Sequence, residues 1–385
     1  MIPNIEPGHP IKVCHISTVH SAFDDRIFYK ECRSLAANGY DVSLVVQHDR
    51  DEVVDGVHIL ALPLATGRVH RLLLNSLRAF CRGMKTGAKL IHFHDPELIL
   101  IGLLFRLCGR KVIYDVHELV YHHFDQKEWL HPVVRFFVKI GYRFFERLAV
   151  MFFNKIILVV DDDSFRDYFT RSYPSWLGKF TYIHNFCMIS MIDQTVPADF
   201  DKDGKVLIYA GGLTRIRGIR EVIQAIDRMN NPPCFLLFGQ WSDDDYRETC
   251  VAEPGWRNVR EMGFKRLEEV YPYMKVADLG IALLYPMKNY LTSLPVKAFE
   301  YMACSLPILM SDFPFWQRTF EGSSWFADPY SVTSIQAALE EILADEKSME
   351  KRGKTGREMV EERFSWEAEA KRLLECYGKI LNGTI

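Results

Sequence analysis

Several function classes are excluded by what this sequence lacks. Its nine cysteines are scattered over 385 residues and form no C-x-x-C pair. A secreted disulfide scaffold therefore gives way to a protein of a reducing cytosol. Cys14, Cys234 and Cys304 sit in apolar runs, where cysteine behaves as a small buried hydrophobe. No apolar run reaches the roughly 18 residues of a spanning helix. The N-terminus, MIPNIEPGHPIKV, carries prolines and acids where a signal peptide needs a basic end and an apolar core, so a cytoplasmic location is expected. The net charge is −3, with no domain-wide basic excess to suggest nucleic acid. No G-x-G-x-x-G follows the first expected strand, and no Walker-A spacing occurs, so nicotinamide, flavin and P-loop readings lose their main support. Internal repeats and low-complexity segments are absent too.

What is there is a folded, globular composition: 48% hydrophobic and 25% charged residues. The length favours two domains of ordinary size. Short β-rich runs alternate with helical stretches, which predicts parallel sheets. Strands are expected at Lys12–Ser17, Asp41–Gln47, Val57–Leu62, Leu90–His94, Lys111–Val116, Lys155–Val160 and Thr181–His184. A second set is expected at Val206–Ala210, Cys234–Phe238, Val259–Met262, Leu279–Leu284, Pro307–Met310 and Trp325–Ala327. Their nearly continuous Val, Ile and Leu suit strands covered on both faces. The fold class read from this is α/β, two doubly wound Rossmann-like domains. The first spans 1–190 and the second 191–365, with the Asp-rich stretch Asp193–Lys205 as linker. Two amphipathic stretches, Ser331–Phe364 and Trp366–Ile380, close the chain, and segment 366–385 is expected to return to the first domain.

In open α/β sheets ligands bind beyond the carboxyl ends of the strands, so chemistry is sought in the loops that follow them. After the first strand come His20, Asp24, Asp25 and Arg26, read either as a polar wall of a cleft or as a helix cap supplied by Asp24 or Asp25. His92 and His94 share one strand face, with Phe93 on the other. Together with His117 and Glu118 they are ordinary zinc ligands, but no H-E-x-x-H or other close spacing supports a metal site. His122 and His123 lie on a loop without an evident partner. His117, at a strand end beside Glu118, is placed to meet a ligand hydroxyl or a developing charge. In the second half a strand runs into Gly211, Gly212, Arg215 and Arg217. Glycine lets backbone N–H groups approach an anion, and arginine matches phosphate oxygens bidentately. Further on, Pro295 suits the first turn of a helix. That places Thr292, Ser293 and Leu294 at its positive end, with Lys297 and Glu300 neighbours on one face. The alternatives are a solvated turn for the glycine pair and a plain surface ion pair for Lys297 and Glu300.

Four segments carry a resemblance to a known family. They are His20 with D-D-R-I-F-Y-K-E and S-L-A-A-N-G-Y-D-V; H-F-H-D-P with Y-D-V-H-E; Y-A-G-G-L-T-R-I-R-G-I; and S-L-P-V-K-A-F-E-Y-M-A-C-S-L-P-I-L-M-S-D-F-P. Together they make the chain similar to glycosyltransferase family 4, retaining enzymes of the GT-B fold that build bacterial surface glycans. The resemblance implies two facing domains and a central cleft, with the acceptor on the N-terminal domain and a nucleotide-diphosphate sugar on the C-terminal one. It places Arg217 on the diphosphate, Glu300 on the ribose, and Phe264 and Lys265 by the nucleobase. The first Glu of the family's E-x7-E pattern falls on Thr292 here, and the Arg that often follows the first Gly of the phosphate loop is replaced by Gly212, with Arg215 as a candidate substitute. The implied chemistry is front-face displacement without a metal. No cofactor is needed, the nucleotide sugar (UDP- or GDP-linked) being a substrate. The Asp161-Asp162-Asp163 run is read as a strand end and helix cap rather than a metal-binding D-x-D.

Between Arg68 and Lys155 cations outnumber acids about twofold and are interleaved with Leu and Phe, as on a helix lying against an anionic membrane. The other reading packs those side chains on the sheet and turns the cations to water. The rival functions are a GT-B nucleotide-sugar epimerase and a non-catalytic GT-B scaffold in glycan assembly. A phosphorylase would need a pyridoxal-bearing lysine that no segment announces.

Overall fold

The computed structural model describes residues 10–117, 121, 131–159, 163–287 and 290–383. The chain divides into two compact units, Met1–Asn185 with Ala368–Ile385, and Phe186–Glu367. Each is described by itself.

The first unit is built on β1 (Lys12–Ser21), β2 (Asp41–Gln47), β3 (Glu52–Val54), β4 (Val57–Leu62), β5 (Leu90–Phe93), β6 (Lys111–Val116), β7 (Lys155–Leu158) and β8 (Phe180–Tyr182). They form one sheet in the order β3-β4-β2-β1-β5-β6-β7-β8, parallel except where β3 meets β4. β5 and β7 are buried along their whole length, as the unbroken apolar runs require of strands covered on both faces. The antiparallel edge strand was not expected from the sequence. Its signal is Val54-Asp55-Gly56-Val57, a two-residue turn in which Asp55 and Gly56 both take positive φ (50° and 77°) and pair Val54 with Val57.

The second unit holds β9 (Val206–Ala210), β10 (Cys234–Phe238), β11 (Val259–Gly263), β12 (Leu279–Ala282), β13 (Ile308–Ser311) and β14 (Ser324–Ala327). All pair in parallel, in the order β11-β10-β9-β12-β13-β14. Numbered within the unit this is 3-2-1-4-5-6, the dinucleotide-fold order whose switch point lies between the first and fourth strands. The first unit has the same switch between β1 and β5.

Some boundaries differ from expectation. β1 runs on to Ser21, so His20 lies in a strand extension, past a register shift between Ile16 and Ser21. The stretch Asp193–Lys205 lies inside the second unit: Ala198 N–H donates to Pro272 O at 3.0 Å, and Phe200 packs against that unit's core. The segment Ser331–Phe364 is two helices, Val332–Ala344 and Glu346–Arg363, broken at Asp345, whose side chain caps the second by accepting from Ser348 N–H. All nine cysteines are free thiols; Cys14 is buried, but Cys234 and Cys304 are only half-buried. The last helix, Trp366–Leu381, belongs to the first unit from Ala368 onward and buries Tyr377 there. No helix of the described residues is long and apolar enough to cross a membrane.

Candidate functional site

In the first unit polar side chains collect where β1, β5 and β6 end. His20 Nδ1 lies 2.9 Å from Asp24 Oδ2. The other oxygen of Asp24 accepts the N–H groups of Arg26 (3.0 Å) and Ile27 (2.9 Å), capping the π-helix Asp25–Cys32. The cap reading of Asp24 is thus realised through one oxygen, while the other holds His20. Burial opposes charge at this pair, yet the hydrogen bond and mutual attraction prevail: the His20 pKa is raised and that of Asp24 lowered.

Beneath them lies Asp115 in β6, fully buried. It accepts from Arg26 Nε (2.9 Å) and Nη2 (3.2 Å), from His94 Nδ1 (3.2 Å) and from His117 Nε2 (3.1 Å). Burial works against its charge, but Arg26 and then His117 hold its carboxyl well below the usual range. His117 is 20% exposed, and its ring centroid is 5.2 Å from that of His20. The structure therefore brings His117, His20 and Asp24 together. The buried Arg26–Asp115 fork was not anticipated from the sequence. The available signal was alternation: Asp115 and His117 are two apart at a strand end, hence on one face. Glu118, His122, His123, Asp161 and Asp162 lie outside the described residues; Asp163 opens the helix Asp163–Ser172.

In the second unit Gly211 follows β9 at φ 142°, a conformation that favours glycine. Its N–H donates to Phe238 O at 3.0 Å, and a side chain on neighbouring Gly239 would collide with the Gly211 carbonyl. The Gly211 amide is thus engaged within the sheet, contrary to the expectation that both glycines offer N–H groups. Gly212 is exposed, and its carbonyl accepts from Tyr209. The helix Val296–Ala303 starts one residue later than expected, with Pro295 at the cap position and Thr292, Ser293 and Leu294 in the loop before it. Trp316 Nε1 donates to Ser293 O at 2.7 Å and pins that loop. Gly280 in β12 leaves room for the ring of Tyr301, whose hydroxyl accepts from Ala210 N–H at 3.1 Å. That contact seats the helix against β9.

The helix thereby carries Lys297 Nζ to 3.7 Å from the centroid of the Tyr209 ring, beside Gly211. Burial, then the charge of Arg217, pushes its pKa well below the ordinary lysine value, while Glu300 opposes. Arg217 lies over the ring of Tyr290 at 5.7 Å. Among the described residues neither Lys297 nor Arg217 forms an ion pair with a carboxylate within 4.0 Å. Glu300 is buried and accepts from Tyr271 OH at 3.1 Å. A plain surface ion pair is therefore not what Lys297 and Glu300 make. Arg215 is instead 56% exposed and 3.5 Å from Asp243. Phe264 is exposed, and Lys265 pairs with Glu269 at 3.3 Å. Gly211, Arg217, Lys297 and Glu300 gather at the switch point, while Arg215 turns to its own acid.

Comparisons with known proteins agree with this architecture. Residues 193–359 match the family described as "Glycosyl transferases group 1", and residues 26–172 match "Glycosyl transferase 4-like domain". Alpha-maltose-1-phosphate synthase of Mycobacterium tuberculosis is 23% identical over 325 residues, 77% of this chain and 80% of that protein. Among solved structures, sucrose-phosphate synthase from Thermosynechococcus elongatus superposes with a TM-score of 0.74 at 20% identity, covering 97% of this chain and 100% of its own. Anabaena HepE in complex with UDP-glucose gives 0.71 at 12% identity, over 96% and 100%. Two parallel α/β units, the two family matches and the switch-point cluster lead to one assignment: the chain belongs to the GT-B glycosyltransferases of the group 1 and 4-like type.

Proposed function

We propose that this glycosyltransferase takes its sugar from a nucleotide-diphosphate sugar bound to the second unit and transfers it, with retention and without a catalytic metal, to a glycan or lipid-linked acceptor. The observation that carries the reading is the pair Lys297 and Arg217, two basic side chains at a switch point that, among the described residues, have no carboxylate within 4.0 Å. A diphosphate supplies the missing charge, and Arg217 matches its oxygens bidentately. Glu300, one helical turn beyond Lys297, accepts from ribose hydroxyls. Phe264 and Lys265 line the nucleobase end. Thr292 stands where a second carboxylate would meet the donor sugar, so recognition there rests on a hydroxyl.

In the first unit His117, held by Asp115, faces the sugar, and the pair His20–Asp24 lies on the acceptor side. As the bond to the leaving phosphate breaks, positive charge grows on the sugar and negative charge on the diphosphate. Lys297 and Arg217 stabilise the latter. The leaving phosphate takes the acceptor's proton, so no separate base is required, and the protein's task is positioning.

A membrane-facing acceptor suits the surface of the first unit. Leu73 and Leu77 on one segment, and Val133, Phe136, Phe137 and Phe144 on the helix Pro132–Phe152, are exposed rather than packed on the sheet. Arg135, Lys139 and Arg143 are interleaved with them. Such a surface suits the inner face of a cell membrane with anionic lipid.

The test is to incubate the full chain with UDP- and GDP-sugars, with and without membrane lipid extract, and to follow donor and anomeric configuration by NMR. Acceptor-dependent donor consumption with an unchanged anomeric configuration is expected. Donor alteration without acceptor would point to an epimerase, and an inert donor to a scaffold; either overturns the reading.

A further inference from the structure

Behind the first-unit site lies a second cluster that the transfer chemistry does not use. His15 in β1 and His92 in β5 are directly paired across the sheet, and His94 follows two residues on, so three imidazoles share one sheet face. The π-helix Asp25–Cys32 lays Glu31 over them. His15, His92 and Glu31 are fully buried and His94 nearly so. One carboxylate oxygen, Glu31 Oε2, lies 3.6 Å from His15 Nδ1, 3.7 Å from His92 Nδ1 and 3.8 Å from His94 Nε2. His15 Nδ1 and His94 Nε2 are 3.1 Å apart. Ligand atoms about 2.0–2.1 Å from a tetrahedral ion are separated by about 3.3–3.4 Å. The measured separations scatter around that edge.

Proton positions favour the same reading. Arg26 forks the Asp115 carboxylate, and His94 Nδ1, 3.2 Å from it, donates to the same group, which leaves His94 Nε2 as a bare lone pair aimed at the cluster. When His15 Nε2 donates to the Tyr377 hydroxyl, 2.9 Å away, His15 Nδ1 is likewise free to ligate. A ligand histidine whose other nitrogen is tied to a carboxylate or hydroxyl is the usual outer arrangement of a metal site. Both oxygens of Glu31 are buried without a hydrogen bond of good geometry, although Arg26 Nη2 stands 3.0 Å from Glu31 Oε1. Such orphans call for an ion or a water.

We propose that His15, Glu31, His92 and His94 form a closed structural site for one divalent transition metal, zinc by its nitrogen and oxygen ligand set. Coordination takes His92 Nδ1 from Tyr377, 2.9 Å away, and leaves that hydroxyl to accept from His15. All four positions are filled by protein, so the ion takes no part in sugar transfer. It ties the π-helix to β1 and β5 and fixes the ring of His94, and through Asp115 the orientation of His117.

The experiment is metal analysis of the full chain purified without chelator or affinity metal, followed by reconstitution with Co2+ as a spectroscopic probe. Roughly one zinc per chain, an intense tetrahedral Co2+ spectrum and a lower thermal midpoint after prolonged strong chelation are expected. Glu31→Gln and His92→Gln should each abolish the Co2+ spectrum. If wild-type protein carries no metal after growth in added zinc, and neither zinc nor chelator moves its midpoint, the proposal fails. Failure is equally clear if Glu31→Gln, which mimics the protonated acid, keeps the wild-type midpoint while the wild type is metal-free. Both failures leave the donor-binding reading untouched.

Discussion

Lys297→Met separates stability from donor binding, because the structure gives the two effects opposite signs. Removing the ammonium removes a charge-assisted contact with phosphate worth about 1.5–3 kcal/mol, so affinity for a nucleoside diphosphate should fall roughly 10- to 150-fold. The free protein should move the other way. In the unfolded chain Lys297 keeps an ordinary lysine pKa; in the folded one burial lowers it. Between the two values the unfolded state binds more protons, so folded stability rises with pH, and below the folded pKa the full penalty of the buried cation is present. Methionine fills the same space without that penalty and should raise the melting temperature of the free protein at neutral pH. UDP and GDP titrations by calorimetry and thermal shift read both effects. At ligand 100 times the wild-type Kd, binding stabilises the wild type by about 2.7 kcal/mol, and a 100-fold weaker mutant by only about 0.4 kcal/mol. Wild-type affinity should also fall as pH rises through the lowered folded pKa of Lys297, and the mutant should lose that dependence. A mutant that binds UDP and GDP as tightly as wild type and melts lower would refute the argument.

Glu300→Gln should weaken nucleotide binding about tenfold with the melting temperature nearly kept, because the amide oxygen still accepts from Tyr271; unchanged affinity in calorimetry would remove Glu300 from the ribose. His117→Ala should lower kcat on the order of 100-fold while donor affinity changes little, since its contact strengthens as charge develops; steady-state kinetics with unaltered kcat would make His117 structural. Turnover should persist in EDTA without added divalent metal, because the proposed transfer stabilises the leaving diphosphate with Lys297 and Arg217 rather than with an ion; a steep requirement for added manganese would overturn metal-independent transfer.

The second unit was far more legible than the first, and the reason is locality. Its cluster comes from two short segments, Gly211–Arg217 and Thr292–Glu300, each following a strand and each carrying its chemistry within a single turn. Spacing alone placed Lys297 and Glu300 on one helix face. What spacing did not give was depth. Gly280 admits Tyr301 and seats the helix against β9, which turns an apparent surface pair into a half-buried cation and a buried acid. That depends on a glycine in one strand meeting a tyrosine of a later helix, and no local pattern encodes it.

In the first unit the strand runs were legible, but the polar centre is assembled from β1, the following helix, β5 and β6, with Arg26 and Asp115 89 residues apart in sequence. Close ligand spacing, the usual sign of a metal site in a sequence, does not arise when each element contributes one or two groups. His92 and His94 were visible as a same-face pair, yet their partners His15 and Glu31 become neighbours only through strand register and helix placement. The same geometry explains why Asp24 resisted a single reading. One carboxylate caps the helix through Oδ1 and holds His20 through Oδ2. The residue that starts the helix also pairs with His20, so capping and a contact across the loop coexist in one carboxylate.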